Sequence, residues 1–88
     1  MYSEKVVVEN KTGLHARPAS IFTQTAAGFE SEITIQKGEE TADAKSILYL
    51  MALGVFRDTE ITITAEGPDE REAVSALVSL IRSRFGEE

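Results

Sequence analysis

The sequence predicts an α+β fold in which a mostly antiparallel sheet is covered by helices on one side. Several short segments alternate apolar and polar residues, which is typical of strands with one face in water. Between them lie segments whose apolar residues recur at helical spacing, so each helix has one face to bury. We therefore expect the order strand, helix, strand, strand, helix, strand, helix within one domain spanning residues 1–88.

The first strand and the first helix are separated by a turn. Residues 2–9 end in three β-branched valines and predict a strand, closed by the turn-forming residues 10–13. A helix is expected near Pro18, because the missing N–H of proline costs nothing at a helix start. Gly28 is expected to end this helix in the left-handed conformation. The apolar positions of the helix are Ile21, Phe22, Ala26 and Phe29.

The middle of the chain predicts two strands and a short helix. Residues 31–37 alternate cleanly between apolar and polar side chains, and residues 40–43 form a short edge strand after a glycine turn. Residues 46–53 predict a helix in which Ser46 is the N-terminal cap and Gly54 the stop.

The last third of the chain predicts a strand and an amphipathic helix. Residues 60–66 alternate again, and the Gly-Pro pair that follows ends the strand. Asp69 and Glu72 have the spacing of a capping box, so the helix is expected to run from Asp69 to about Phe85. Its inward stripe comprises Val74, Leu77, Leu80 and Ile81.

Composition excludes several classes of function. A chain of 88 residues cannot enclose a large cofactor, so we expect no cofactor and place any chemistry at the surface. With no cysteine and one histidine, the chain lacks the ligands of the common zinc sites, and we expect no metal. Fifteen acidic residues against nine basic ones argue against nucleic acid as a partner. Without a signal-peptide pattern or a membrane-spanning run, we expect a cytoplasmic protein with no membrane partner.

The single histidine lies in the turn just before the first helix. The unpaired N–H groups and the positive dipole end of a helix start bind anions, and Arg17 adds a charge suited to phosphate oxygens. A neutral imidazole is a nucleophile near neutral pH, so His15 is placed to carry a phosphoryl group. The alternative is a histidine that only caps the helix or packs in the loop. A serine hydrolase is disfavoured, because the chain has no Gly-x-Ser-x-Gly elbow and no acidic residue close to His15 in sequence.

A second informative stretch is the uncharged run of residues 47–56. A one-sided sheet cannot cover a helix all round, so part of this stretch should be exposed and bind partners. The alternative is a fully buried helix without a docking role. Residues 10–29 and 44–57 contain no acidic residue, which favours a phosphoryl group and acidic partners there. The basic residues of these two ranges are Lys11, Arg17, Lys45 and Arg57.

Ser46 has both a structural and a regulatory interpretation. As a helix cap it contributes about 0.5–2 kcal/mol to stability, which is sufficient reason for a serine. A phosphate on Ser46 would gain from the helix dipole and would add negative charge to the docking surface, which would make it a regulatory site.

Taken together, these motifs resemble those of the HPr family, the histidine-containing phosphocarriers of the bacterial phosphoenolpyruvate-dependent sugar phosphotransferase system. The resemblance rests on residues 13–19 (Gly-Leu-His-Ala-Arg-Pro-Ala), on residues 44–47 (Ala-Lys-Ser-Ile) and on Leu53-Gly54, and it spans essentially the whole chain. It implies an open-faced βαββαβα sandwich with a four-stranded antiparallel sheet and three helices on one face.

The resemblance also implies a carrier rather than an enzyme. A phosphoryl group would pass from phosphorylated enzyme I to Nδ1 of His15 and then to enzyme IIA domains of sugar permeases. Arg17 would assist the transfer, and the backbone N–H groups of Ala16 and Arg17 would hold the phosphate. The positions that match the family's docking face are Ser20, Gln24, Ala27, Ile47, Leu48 and Met51.

A regulatory branch is implied as well. In that branch an HPr kinase/phosphorylase uses ATP to modify Ser46, which slows histidine phosphorylation and favours binding to a catabolite-control repressor. The Crh-type regulators share the serine motif but lack the active histidine, so His15 argues against a purely Crh-like role. Tyr49 and Phe56 are bulkier than the family usually has there, and both are expected on the partner side.

Overall fold

A computed structural model describes residues 1–87 of the chain. The element order is the one that the sequence predicts, and the bounds differ from the predicted ones by at most three residues. Among the described residues, no helix is long and apolar enough to cross a membrane. The strands are β1 (Tyr2–Val8), β2 (Glu32–Lys37), β3 (Glu40–Asp43) and β4 (Thr59–Glu66), and the helices are α1 (Ala16–Ala27), α2 (Ile47–Leu53) and α3 (Glu70–Arg82).

The four strands form one antiparallel sheet in the order β1-β4-β2-β3. The register aligns Ile63 of β4 with Ile35 of β2, which in turn faces Ala42 of β3. These inward side chains are buried beneath the helices, whereas the alternate positions remain exposed or half-exposed on the other face. The predicted open-faced sandwich, with its helices on one side of the sheet, is confirmed. The largest fully buried apolar side chains are Phe22, Ile33, Ile35, Leu50, Ile61, Ile63, Leu77 and Ile81.

Two helix ends differ in how they are closed. Gly54 ends α2 in the left-handed conformation (φ 73°), as predicted. Gly28 also caps α1, but its backbone is right-handed (φ −75°), so the left-handed prediction is wrong there. The Gly28 N–H reaches back to the carbonyl of Thr25 at 3.2 Å, which tightens the last turn and ends the helix without a left-handed residue.

The capping box predicted for α3 does not form. Asp69 is the N-cap residue, but its side chain makes no bond to its own helix. Its carboxylate instead accepts the N–H groups of Glu30 and Ser31, both at 2.9 Å, and the Ser31 hydroxyl. The helix also ends at Arg82, before the predicted Phe85, and a short 3₁₀ turn follows over Arg84–Gly86.

The Asp69 contacts tie the start of α3 to the segment between α1 and β2. The Ser31 hydroxyl, and then the Glu30 and Ser31 amides, bind the charged carboxylate and hold the pKa of Asp69 below its usual range. Because the folded pKa is depressed, this contribution to stability is present above the unfolded pKa and is lost as the pH falls through the folded one.

Asp69→Asn should therefore be less stable than the wild type near neutral pH. The difference should shrink as the pH drops below about 4, because the wild-type carboxylate is then neutralised as well. Urea unfolding across this pH range measures it. Glu72→Gln, in the same first helical turn, is the matched control. An equal loss in Glu72→Gln, or a gap that does not depend on pH, would contradict the role given to Asp69.

Candidate functional site

His15 occupies the N-cap position of α1 with an extended backbone (φ −97°, ψ 170°). Its side chain is exposed and makes no capping hydrogen bond. Its carbonyl oxygen accepts the N–H of Ala19 at 2.9 Å, which is the first hydrogen bond of the helix. The backbone thus holds His15 at the helix start while the ring stays accessible, so the structure gives no support to a role as a side-chain cap.

Two amide donors stand at this helix start. The N–H groups of Ala16 and Arg17 come too early in α1 to find an acceptor within the helix. Pro18 has no N–H, and Ala19 is already bonded to His15. Pro18 is thus the third helical residue rather than the first, and it is tolerated there for the same physical reason. These are the same two amides that the resemblance assigns to phosphate binding, and helix geometry leaves them without an acceptor inside α1.

The loop before His15 is fixed against the segment that follows α2. The Leu14 N–H donates to the carbonyl of Val55 at 2.9 Å, and the Leu14 side chain is buried. Gly13 has a φ of +63°, and a Cβ built on it would lie 2.4 Å from the Val55 oxygen and 2.8 Å from Phe56 Cα. Only glycine permits this approach of two backbones, which sets where His15 stands.

A carboxylate that sequence analysis missed lies beside this loop. Glu87 accepts hydrogen bonds from Asn10 Nδ2 at 3.1 Å, from the Thr12 N–H at 3.3 Å and from Thr12 Oγ1 at 2.9 Å. The Asn10 bond, the Thr12 bonds and the positive charge of Arg17 together hold the pKa of Glu87 below its usual range. Residues 10–29 contain no acidic residue in sequence, but the fold brings the Glu87 carboxylate onto Asn10 and Thr12 within that range.

Nothing in the local sequence could have located Glu87. It is 75 residues from Thr12 along the chain, and it arrives through the 3₁₀ turn in which Arg84 and Phe85 adopt positive φ angles. Neither residue type favours that conformation, so no turn signal precedes it.

The end of α2 and the residues after it complete the surface around His15. A mostly apolar hollow opens beside the imidazole, and Phe56 forms one wall of it. The side chain of Phe56 is 69% exposed, although its neighbours in sequence, Val55 and Arg57, are not residues typical of flexible turns. The residues that line the hollow are Thr12, Leu14, His15, Met51, Gly54, Val55 and Phe56.

The other residues matched to the docking face lie on the exposed sides of α1 and α2. Leu48 is 78% exposed and Ile47 is exposed as well, so the alternative of a fully buried α2 is wrong. On α1, Gln24 donates to the Ser20 hydroxyl at 3.1 Å, and Ala27 is exposed at the last helical position.

Ser46 caps α2, as predicted from the sequence. Its hydroxyl accepts the N–H of Tyr49 at 3.4 Å, a long bond that makes a weak cap. Gly54 closes the other end of this seven-residue helix, next to the hollow. Ser46 therefore lies at one end of α2 and the hollow beside His15 at the other, and the helix between them is about 10 Å long.

The structure separates Tyr49 from Phe56. Tyr49 is 67% exposed and lines a different recess, formed with exposed residues of β2 and β3 such as Thr34 and Thr41. Lys45 shares this recess, and its Nζ donates to the carbonyl of Phe29, after the far end of α1, at 2.7 Å. Among the four basic residues of ranges 10–29 and 44–57, Lys45 is thus directed away from His15.

Known proteins resemble this chain along its whole length. The family model described as the PTS HPr component phosphorylation site matches residues 2–83. Phosphocarrier protein HPr of Neisseria meningitidis serogroup A is 42% identical over 87 residues, which cover 99% of this chain and 98% of that protein. HPr-like protein Crh of Bacillus subtilis is 44% identical over 82 residues, 93% and 96% of the two chains. The crystal structure of HPr-C-His from Thermoanaerobacter tengcongensis superposes with a TM-score of 0.98 at 50% identity, covering 100% of this chain and 99% of that one.

Gly13→Ala should destabilise the protein more than Gly38→Ala does. Both glycines have positive φ angles, +63° and +59°, but only Gly13 has backbone atoms within reach of a new Cβ. Gly38→Ala should cost about 1 kcal/mol from backbone strain alone. Gly13→Ala should cost a further ~1–3 kcal/mol from steric overlap with Val55. Urea unfolding of both variants measures the difference, and equal costs would show that the close approach at Val55 is not tight.

Proposed function

Because this chain belongs to the HPr family, we propose that it carries a phosphoryl group on His15 between proteins of the sugar phosphotransferase system. The observation that supports this most strongly is the exposed imidazole at the start of α1, next to the amides of Ala16 and Arg17. The proposed donor is phosphorylated enzyme I and the proposed acceptors are enzyme IIA domains, with the cytoplasm as the place of exchange.

The proposed chemistry needs only the neutral ring. The Nδ1 lone pair of His15 attacks the phosphorus atom that the donor carries, a new N–P bond forms, and the bond between phosphorus and the donor breaks, so that its electron pair leaves with the donor. The proton on Nε2 stays in place throughout. The amides of Ala16 and Arg17, the helix dipole and the Arg17 guanidinium stabilise the negative oxygens during the transfer.

The position of the Glu87 carboxylate suits a protein that must transfer its phosphoryl group to an acceptor. Its carboxylate is held on Thr12 and Asn10, close enough to Arg17 for their charges to interact. A phosphate dianion on His15 would compete with Glu87 for the same positive surroundings, and repulsion between the two anions would raise the free energy of the phosphorylated protein. Such a carrier would give up its phosphoryl group more readily.

Incubation with phosphoenolpyruvate and enzyme I should phosphorylate the wild type on His15. The modification should be labile in acid and stable in alkali, as phosphoramidates are, and His15→Ala should not acquire it. Arg17→Ala should still be modified but more slowly, because it keeps the nucleophile and the amides. Mass mapping of the modified residue is the measurement. A wild type that stays unmodified, or a label on another residue, would overturn the proposal.

We further propose that Ser46 is a regulatory phosphorylation site. Its hydroxyl forms a long capping bond at the start of α2, where a phosphate would meet the positive end of the helix without displacing buried groups. The enzyme responsible would be an HPr kinase/phosphorylase. The added charge would face the same partners that the basic residues near His15 attract, so it would slow histidine phosphorylation.

A second candidate function follows from the same residue. The similarity to HPr-like protein Crh favours a Ser46-phosphorylated module that binds a catabolite-control repressor. The exposed apolar side chains of Ile47 and Leu48, directly after Ser46, would supply the contact surface.

Ser46→Asp should slow phosphoryl transfer from enzyme I, because its charge imitates part of the phosphate. Ser46→Ala should leave the rate close to that of the wild type and should lose any acid-stable label added by kinase and ATP. Initial rates of His15 phosphorylation at matched concentrations measure the effect. Equal rates in Ser46→Asp and Ser46→Ala would refute the coupling between the two sites.

A further inference from the structure

Tyr49 is an exposed aromatic residue that lines a recess separate from the hollow beside His15. Its side chain is 67% exposed, and its N–H donates to the Ser46 hydroxyl at the start of α2. The recess, called here the Tyr49 recess, has a volume of about 530 Å³ and lies at the β3 edge of the sheet. This volume is within the range of small-molecule pockets, ~300–1,000 Å³. The residues that line the recess are Glu32, Ile33, Thr34, Thr41, Ala42, Asp43, Lys45 and Tyr49.

The ends of β2 and β3 supply uncharged and charged polar groups to the Tyr49 recess. Thr34 of β2 is the register partner of Asp43 in β3, and Thr41 lies two residues before Asp43 on the same strand. All three side chains are exposed on the open face of the sheet, because their neighbours Ile33 and Ala42 are buried beneath the helices. Two hydroxyls and a carboxylate therefore stand together in the recess.

The charged groups of the Tyr49 recess have both signs, and two of the three are anchored to the backbone. Asp43 Oδ1 accepts the Lys45 N–H at 2.9 Å, and Lys45 Nζ donates to the Phe29 carbonyl at 2.7 Å. Each group keeps capacity for a ligand, because a carboxylate has a second oxygen and an ammonium has three N–H donors. Glu32 adds an exposed carboxylate. The recess therefore holds both hydrogen-bond acceptors and donors beside the tyrosine ring.

This combination of groups indicates the chemistry of the occupant. An aromatic ring packs against C–H groups, whereas hydroxyl, carboxylate and ammonium groups exchange hydrogen bonds. A saccharide ring meets both demands, since its C–H groups form an apolar face and its hydroxyls are donors and acceptors at the rim. A phosphorylated sugar is disfavoured, because its charge would meet the carboxylates of Glu32 and Asp43. A cation would satisfy those carboxylates but would meet the Lys45 ammonium.

We propose that the Tyr49 recess binds an uncharged saccharide. One pyranose ring stacks on Tyr49, and its hydroxyls donate to the Asp43 carboxylate and exchange hydrogen bonds with Thr41. This inference goes beyond the carrier function and does not rest on it, because the Tyr49 recess shares no residue with the hollow beside His15.

The test titrates the ¹⁵N-labelled, unphosphorylated protein with maltose and follows its backbone amides by NMR. Maltose presents two pyranose rings and no ionisable group. The amide signals of Thr41, Asp43 and Tyr49 should shift together and saturate, with a Kd of about 1–10 mM, because an open site makes few contacts with which to offset the entropy lost on binding. The amides of Ala16 and Arg17 should not shift.

Substitutions then separate stacking from hydrogen bonding. Tyr49→Ala should raise the Kd for maltose about tenfold, because the stacking surface is lost, whereas Tyr49→Phe keeps the ring and should bind like the wild type. Thr41→Val keeps the shape but loses the hydroxyl, so the Kd should rise about threefold. Phe56→Ala is the matched control, since Phe56 is 69% exposed but lines the hollow beside His15, and it should bind like the wild type. Urea unfolding should show that every variant is folded.

Four results would overturn the saccharide proposal. Shifts that grow without saturating, or that are equal in the wild type and in Tyr49→Ala, would show that maltose has no site there. Glucose 6-phosphate bound as tightly as glucose would show that the carboxylates do not face the ligand. Saturable shifts of the same amides with spermidine, and none with maltose, would assign the recess to a cation. Phosphorylation of His15 by enzyme I is measured separately, so none of these results bears on the carrier function.

Discussion

The close approach of Gly13 to Val55 is the constraint on which the site depends. Through the bond from Leu14 to the Val55 carbonyl, the loop that carries His15 is joined to the segment that ends α2. The same contact places the imidazole at the start of α1 and beside the hollow bordered by Phe56. One glycine, with no side chain to hold the backbones apart, thus brings His15, the amides of Ala16 and Arg17 and the apolar hollow together.

Helix α2 connects the two candidate modification sites. Ser46 lies at its start, and Gly54 ends it next to the His15 hollow. Over seven residues the helix spans about 10 Å, so the two sites do not touch, yet a single partner surface would cover both. The regulation proposed for Ser46 would therefore need no conformational change, because charge at one end of α2 would alter the affinity of a partner that contacts both ends.

The sequence predicts most of the fold because its signals are local. Alternation in β2 and β4, the Ser46 cap and the Gly54 stop each depend on neighbouring residues, and each is confirmed. Two predictions failed locally, the left-handed conformation of Gly28 and the end of α3 at Phe85. The other failures involve groups that are distant in sequence. Asp69 has capping-box spacing but binds Ser31, and Glu87 reaches Thr12 across nearly the whole chain. The position of His15 before a helix was predictable, whereas the carboxylate on Thr12 in the preceding loop emerges only from tertiary structure.

The most direct test of the central claim follows backbone amides by ¹H–¹⁵N NMR before and after phosphorylation by enzyme I. If the phosphoryl group on His15 rests on the start of α1, the amide protons of Ala16 and Arg17 should move strongly downfield, because they then donate to an anion. The amides at the start of α3 should not move. Unchanged signals for Ala16 and Arg17 in a protein phosphorylated on His15 would contradict the account.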